Sequence, residues 1–151
     1  MNVQQTLIKD LKMRNGHFVR YKGKDFRIIH HEGHYALRST DASDMVNYGF
    51  YQLEPESDIY LKDITQEEVG EVMYITSYVR YAGKDFPLVG GNEAYGYIVH
   101  VTTTEYDETF AGKNYQSELI EKYNITVEVI IPSSEVEEIW EKIEIETNYF
   151  K

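Results

Sequence analysis

The sequence predicts a mainly β chain with minor α content, organised as two tandem small barrels that share a continuous connecting strand. Three observations predict it. The nonapeptide FVRYKGKDF at 18–26 returns as YVRYAGKDF at 78–86, with seven of nine positions identical. A second pair, ITQEEVGEV at 64–72 and IPSSEVEEI at 131–139, follows in the same order and keeps Ile64 with Ile131, Glu68 with Glu135 and Val69 with Val136. No Pro/Gly/Ser-rich linker intervenes, because EVMYITSYVRY carries β-branched and aromatic residues straight from one half into the other. The expected organisation is an N-terminal helical segment over 1–16, a first repeat over 17–75, a second over 76–143 with an inserted helix, and a tail over 144–151.

Taken in order, residues 3–12 place Val3, Leu7 and Leu11 on one helical face, with Ile8 adjacent. Lys22-Gly23 then reads as a two-residue hairpin turn, because Gly accepts the positive φ that a type I′ turn requires. With that turn Val19 faces Phe26 and Arg20 faces Asp25; by the same rule Val79 faces Phe86 and Arg80 faces Asp85 in the second repeat. Glu32-Gly33 makes another tight turn, opposing Ile28 to Leu37 and His30 to Tyr35. In the second repeat Pro87 stands where Arg27 stood, and since Pro donates no ladder hydrogen bond a bulge or an edge position is expected there. The next strands are IYLKDI at 59–64 and TVEVIIP at 126–132. Thr65 and Glu68 form a capping-box pattern, and the MYITSYVRY stretch beyond Gly70 favours a single helical turn followed by a strand. YQSELIEKY at 115–123 places Tyr115, Leu119, Ile120 and Tyr123 at helical spacing. At 133–143 the alternative is an α+β chain with a helix, since Val136, Ile139, Trp140 and Ile143 recur at i, i+3, i+4 and i+7.

Composition narrows the function. The chain has 151 residues, 26 acidic against 15 basic side chains, a formal charge of −11 and no cysteine. The charge divides as −5 over 17–75 and −7 over 76–143. Phosphate binding needs clustered Lys and Arg, so nucleic acid is disfavoured and a basic protein partner is favoured. Disulfides and thiolate metal sites are excluded, the N-terminus lacks the apolar run of a signal peptide, and no stretch is long enough to span a bilayer; a cytoplasmic protein without membrane attachment is expected.

Candidate chemistry is sparse. His30, His31, Glu32 and His34 are the densest cluster, but strand alternation sends His30 and His31 to opposite faces, leaving at most His31 and His34 as a metal-ligating pair. The corresponding GGNEAY stretch has no His. No nucleophile elbow or phosphate loop occurs, so neither catalysis nor a cofactor is expected. Fourteen tyrosines are more informative, because Tyr offers rigid amphipathic area to an interface. Tyr48, Phe50, Tyr51, Tyr106, Tyr115 and Tyr123 lie outside the hairpin anchors and are the partner-binding candidates.

A strand, a one-turn helix and a closing strand in about 60 residues resemble the small SH3-like barrel, and IPSSEV is similar to the Pro-Ser-x-x-Val stretch that ends SH3 domains. Two copies of a (Y/F)-V-R-Y-x-G-K-D-F hairpin followed by an E-V-x-E-(V/I) anchor resemble small acidic tandem-repeat proteins of Gram-positive bacteria, some of them immunity-protein-like. The likeness spans about 17–143, and its motifs are structural, so it transfers no functional residue. It implies a noncatalytic cytosolic protein-binding module, an immunity protein neutralising a basic toxin. The alternatives are a small-ligand-binding protein or enzyme with its site between the repeats, and a module that self-associates as a homo-oligomer through an open sheet edge.

Overall fold

The structure, a computed structural model, describes residues 3–7, 14–120 and 125–150, the first of these by backbone alone. It is mainly β with short helices. In chain order the elements are β1 (Val3–Leu7), β2 (Gly16–Tyr21), β3 (Lys24–His31), β4 (His34–Ser39), helix α1 (Ser43–Tyr48), β5 (Tyr51–Gln52) and β6 (Tyr60–Ile64). A 3-10 turn (Gln66–Glu68), β7 (Val72–Tyr81), β8 (Lys84–Asn92) and β9 (Gly96–Thr102) follow. A turn of α-helix, α2 (Thr103–Glu105), then widens into a π turn (Tyr106–Phe110), and β10 (Ser117–Ile120), β11 (Thr126–Ile131), a 3-10 turn (Ser133–Glu135) and β12 (Glu138–Glu146) complete the chain. The contacts divide into two compact units. One is built from Gly16–Tyr74 with the C-terminal segment from Glu144, the other from Val3–Asn15 with Ile75–Ile143, so the boundary falls inside β7.

In the first unit the strand order is β2-β3-β4-β6-β5. Lys22 and Gly23 both have positive φ, 49° and 85°, the geometry of a type I′ turn, whose twist matches that of the strands it joins. The resulting register pairs Val19 with Phe26 and Arg20 with Asp25. Glu32-Gly33 repeats the device and pairs Ile28 with Leu37 and His30 with Tyr35. Period-2 alternation then puts Val19, Tyr21, Phe26, Ile28, Leu37, Ile64 and Val72 in one core. Helix α1 is tethered over it by Asp44, which is buried, accepts from Lys24 Nζ at 2.8 Å and also accepts from the Ser39 hydroxyl. Just past the helix, Phe50 packs on Phe26 with centroids 4.9 Å apart.

The second unit runs β7-β8-β9-β11-β10, with β12 alongside β7. Ala82 and Gly83 carry positive φ, and Val79 pairs with Phe86 and Arg80 with Asp85. Pro87 sits opposite Tyr78, and the ladder slips by one residue between Leu88 and Gly90, the bulge expected beside a residue that cannot donate. Gly91, at φ +94°, lies so close to the neighbouring strand that a Cβ there would run into the carbonyl oxygen of Gly96. Val79, Phe86, Leu88, Val99, Val129 and Ile131 build this core, and Phe110 from the π turn closes it. β12 alternates strictly, with Ile139, Glu141 and Ile143 inward.

Three helix expectations are corrected. Val3–Leu7 is a strand, β1, paired with β12; the backbone of β12 takes a partner on that side, and ladder pairing prevails over a helical spacing of only three apolar residues. The remainder of that predicted helix, 8–12, falls outside the described residues. In the inserted segment, Ser117–Ile120 forms β10 against β11, in the register Ser117 to Val129 through Ile120 to Thr126. Leu119 is exposed there, so the helical spacing does not mark a buried helix face over 117–120, and 121–123 fall outside the described residues. Finally, 133–143 is a 3-10 turn and a strand, because the same Ile139 and Ile143 that fit a helix also fit alternation with Glu141 between them. The Thr65–Glu68 capping box does form, with Thr65 N–H donating to Glu68 Oε1 at 2.9 Å, and it caps a single turn ahead of β7. No helix among the described residues is long and apolar enough to cross a membrane.

Candidate functional site

The first unit exposes apolar side chains in one stretch of chain. Met45 and Val46 on α1, Tyr51 on β5 and Leu53 just beyond it all reach solvent, Val46 at 88% and Tyr51 at 42% exposure. The helix can leave Met45 and Val46 outside because Asp44, Tyr48 and the following Phe50 make its inward contacts. β5 is only two residues long and, among the described residues, is an edge strand paired with β6, placing Tyr51 opposite Leu61. From Ser39 to Leu61 the chain contains five acidic residues and no Lys or Arg, and Glu54, Glu56 and Asp58 stand exposed right after Leu53. The stretch thus sets an apolar centre beside a rim of exposed carboxylates.

Tyr51 is held in place from beneath. Its hydroxyl donates to Asp63 Oδ1 at 2.9 Å, and the same Asp63 oxygen lies 2.9 Å from His34 Nε2, as an ion-pair contact whose ring N–H is not aligned on it. The row crosses three strands, since β4 and β6 are paired at Ala36 and Asp63 and β6 and β5 at Leu61 and Tyr51. The polar contact with Asp63 raises the His34 pKa above its ordinary value, helped by the Glu32 carbonyl. The His34 contact in turn lowers Asp63. Burial, followed by the Asp63 bond, raises Tyr51, which keeps its proton to donate.

The signs fix a pH window. A raised His34 contributes stability that is complete below its ordinary pKa of 6.5 and lost as pH climbs through the raised value. A lowered Asp63 contributes stability that is complete above 3.8 and lost as pH falls through the depressed value. The row is therefore tightest between 3.8 and 6.5. In Asp63→Asn the His34 titration midpoint, followed by NMR of its ring protons, is expected to fall back toward that of an ordinary histidine; an unchanged midpoint would remove Asp63 as the cause.

The other sequence candidates are placed as follows. Phe50 is 5% exposed and belongs to the core. Tyr48 lines the rim of the first core, between Phe26 and Tyr21. Tyr106 and Tyr115 are half-buried against the second core, and Tyr115 shares a hydroxyl contact with Tyr81 at 3.1 Å and is pushed up to about 12 by burial, with that hydrogen bond adding to it. Tyr123 lies outside the described residues. Of the six, Tyr51 alone is exposed among the described residues. His31 and His34 are a cross-strand pair with ring centroids 6.0 Å apart, while His30 turns to Tyr35 on the other face. Among the described residues no group of three or more His, Asp or Glu side chains is arranged to hold a metal ion. Sequence reasoning overlooked Met45, Val46 and Leu53; their signal was a run of apolar residues inside the stretch without a basic side chain.

The chain belongs to the family described as uncharacterised conserved protein UCP033725, whose model matches residues 13–148. No curated protein and no solved structure matches it.

Proposed function

We propose that this family member is a noncatalytic cytosolic binding module that docks a basic protein through the Met45, Val46, Tyr51 and Leu53 surface, in the manner of an immunity protein occluding a basic toxin. The observation that carries the reading is the coincidence of four exposed apolar side chains with the exposed carboxylates of Glu54, Glu56 and Asp58, in a stretch of chain, Ser39–Leu61, that contains no Lys or Arg. Charge steers the encounter and the pre-oriented Tyr51 ring supplies an anchor at low entropic cost.

The reading extends to architecture: the two units are duplicated SH3-like barrels joined through β7. It is supported by matched strand orders, by type I′ hairpins in the same register, by a one-turn 3-10 helix before β7 and before β12, and by Phe50 on Phe26 where Phe110 meets Phe86. An apolar, acidic face on the first unit fits a partner-binding role because that unit's own core is complete without spending the face's residues on packing.

The test is affinity capture at low and high salt with the wild-type protein and with Glu54→Lys/Glu56→Lys/Asp58→Lys, followed by binding of the captured protein in purified form. A basic protein is expected, released by about 0.5 M salt, where the Debye length is only a few ångströms, and lost in the charge-reversed variant. An acidic partner, a partner indifferent to charge reversal, or a second copy of this chain would overturn the reading.

A further inference from the structure

Within the first unit, the segments Gln66–Val72 and Ile145–Phe150 line an open cleft of about 410 Å3. Its aromatic wall is fixed from several sides. Tyr149 and Phe150 meet at 5.3 Å, both lie against Tyr35, at 5.6 and 4.9 Å, and Tyr149 also contacts His17 at 4.8 Å. His17 in turn contacts Tyr74 at 4.9 Å. These rings are not free to rotate into the space and fill it. Val69 and Val72 add apolar lining, and among the described residues the charged side chains that line the cleft are Glu71 and Glu146. Glu146 is oriented by the Asn148 N–H at 3.2 Å.

This lining selects its ligand. An anion would meet two carboxylates. A neutral apolar group would strip water from those carboxylates with nothing in return. A cation on an alkyl stem matches both kinds of lining: its stem suits Val69 and the aromatic side chains, and its charged head suits carboxylates and π faces. A planar guanidinium does this better than an ammonium, because it stacks on aromatic rings while its fork of N–H groups bonds carboxylate oxygens.

We propose that the cleft receives an arginine side chain presented by a protein partner. The inference deepens the docking reading, on which it rests for the partner's being a basic protein, and it adds a second anchoring point built from other residues of the same unit.

The test is titration of the whole protein with N-acetyl-arginine amide, which carries the side chain on a peptide-like backbone, with free L-arginine and with N-acetyl-citrulline amide, the neutral isostere. Amide chemical shifts at Val69–Val72 and Ile145–Phe150 report occupancy. The blocked arginine is expected to shift these signals at least as well as free arginine, with a Kd of about 1–10 mM, the scale of a single side chain. The citrulline amide is expected to leave them in place. Glu71→Gln/Glu146→Gln, which removes both charges with nearly unchanged side-chain shape, is expected to weaken binding about tenfold. Binding of free arginine alone would mark a small-molecule site instead; equal binding of citrulline, no shift at all, or no loss in the double variant would each overturn the proposal. None of Glu54, Glu56 and Asp58 lines the cleft, so arginine binding that survives their reversal while capture is lost separates failure of one reading from failure of the other.

Discussion

Phe110→Ala is expected to destabilise the second unit by about 3–5 kcal/mol, the cost of removing a fully buried aromatic ring and leaving its cavity. The ring is wholly enclosed, lying stacked on Tyr81 at 5.2 Å and tilted against Phe86 at 5.3 Å, with Tyr106 and Tyr115 at 6.4 and 6.5 Å. Those neighbours come from β7, β8, the π turn and the loop after it, so collapse into the vacated space would have to move four pieces of chain together. Helix capping cannot compensate, since the Thr102–Glu105 capping box fixes only the start of the segment that delivers Phe110. Against a typical total of 5–15 kcal/mol the loss is a large fraction of stability, and a fall in Tm of roughly 10 °C accompanies it. Trp140 reports the change: it stacks on Tyr78 at 4.7 Å and its indole N–H donates to Asp85 at 3.0 Å, all within the second unit. Denaturant unfolding followed by its fluorescence should show the midpoint drop; a variant within about 1 kcal/mol of wild type would mean the ring is not the keystone of that core.

The contrast between what could and could not be read from the residues has the same root. Hairpins were legible because their information is local: Lys22-Gly23, Glu32-Gly33 and Ala82-Gly83 specify a turn geometry, and the turn specifies every pairing around it. Helical spacing misled at 3–7 and 117–120 because a few apolar residues fit two periods, and the choice was made by a strand elsewhere that pairs with them. The role of Phe50 and Phe110 was available as an equal offset of 60 from the hairpin match, yet their flanking residues share so little that composition placed Phe50 among surface candidates. Most of the candidate site was illegible for a related reason. Exposure of Met45 and Val46 depends on Asp44 turning inward to Lys24 and Ser39, and a buried aspartate on a polar loop has no sequence signature. Tyr51 was named from composition, but its Asp63–His34 support joins three strands and emerges only from their registers.

The same logic makes Arg14→Ala the second large effect. Glu141 points into the second unit from β12 and is 1% exposed, and the Arg14 guanidinium grips both its oxygens, at 2.9 and 2.8 Å. The backbone delivering Arg14 is itself lashed down: its carbonyl accepts from the Ser77 hydroxyl, and the Asn15 side chain accepts from Ser77 N–H and donates to the Leu88 carbonyl. Removing the arginine strands a carboxylate among Ile139 and Ile143, which costs about 3–5 kcal/mol in a dry site; Arg14 is 29% exposed, so entering water should hold the loss near the lower end. The reverse deletion is asymmetric. Glu141→Leu leaves a guanidinium that can turn toward solvent and adds apolar volume where the strand already alternates inward, so it should cost clearly less than Arg14→Ala. Combining Arg14→Met with Glu141→Leu should recover most of the stability, because two apolar groups need no mutual compensation for desolvation. Chemical denaturation of the single and double variants completes the cycle. A double variant no better than Arg14→Ala would locate the energy in the lashing of residues 14 and 15 to Ser77 and Leu88, and not in the buried pair.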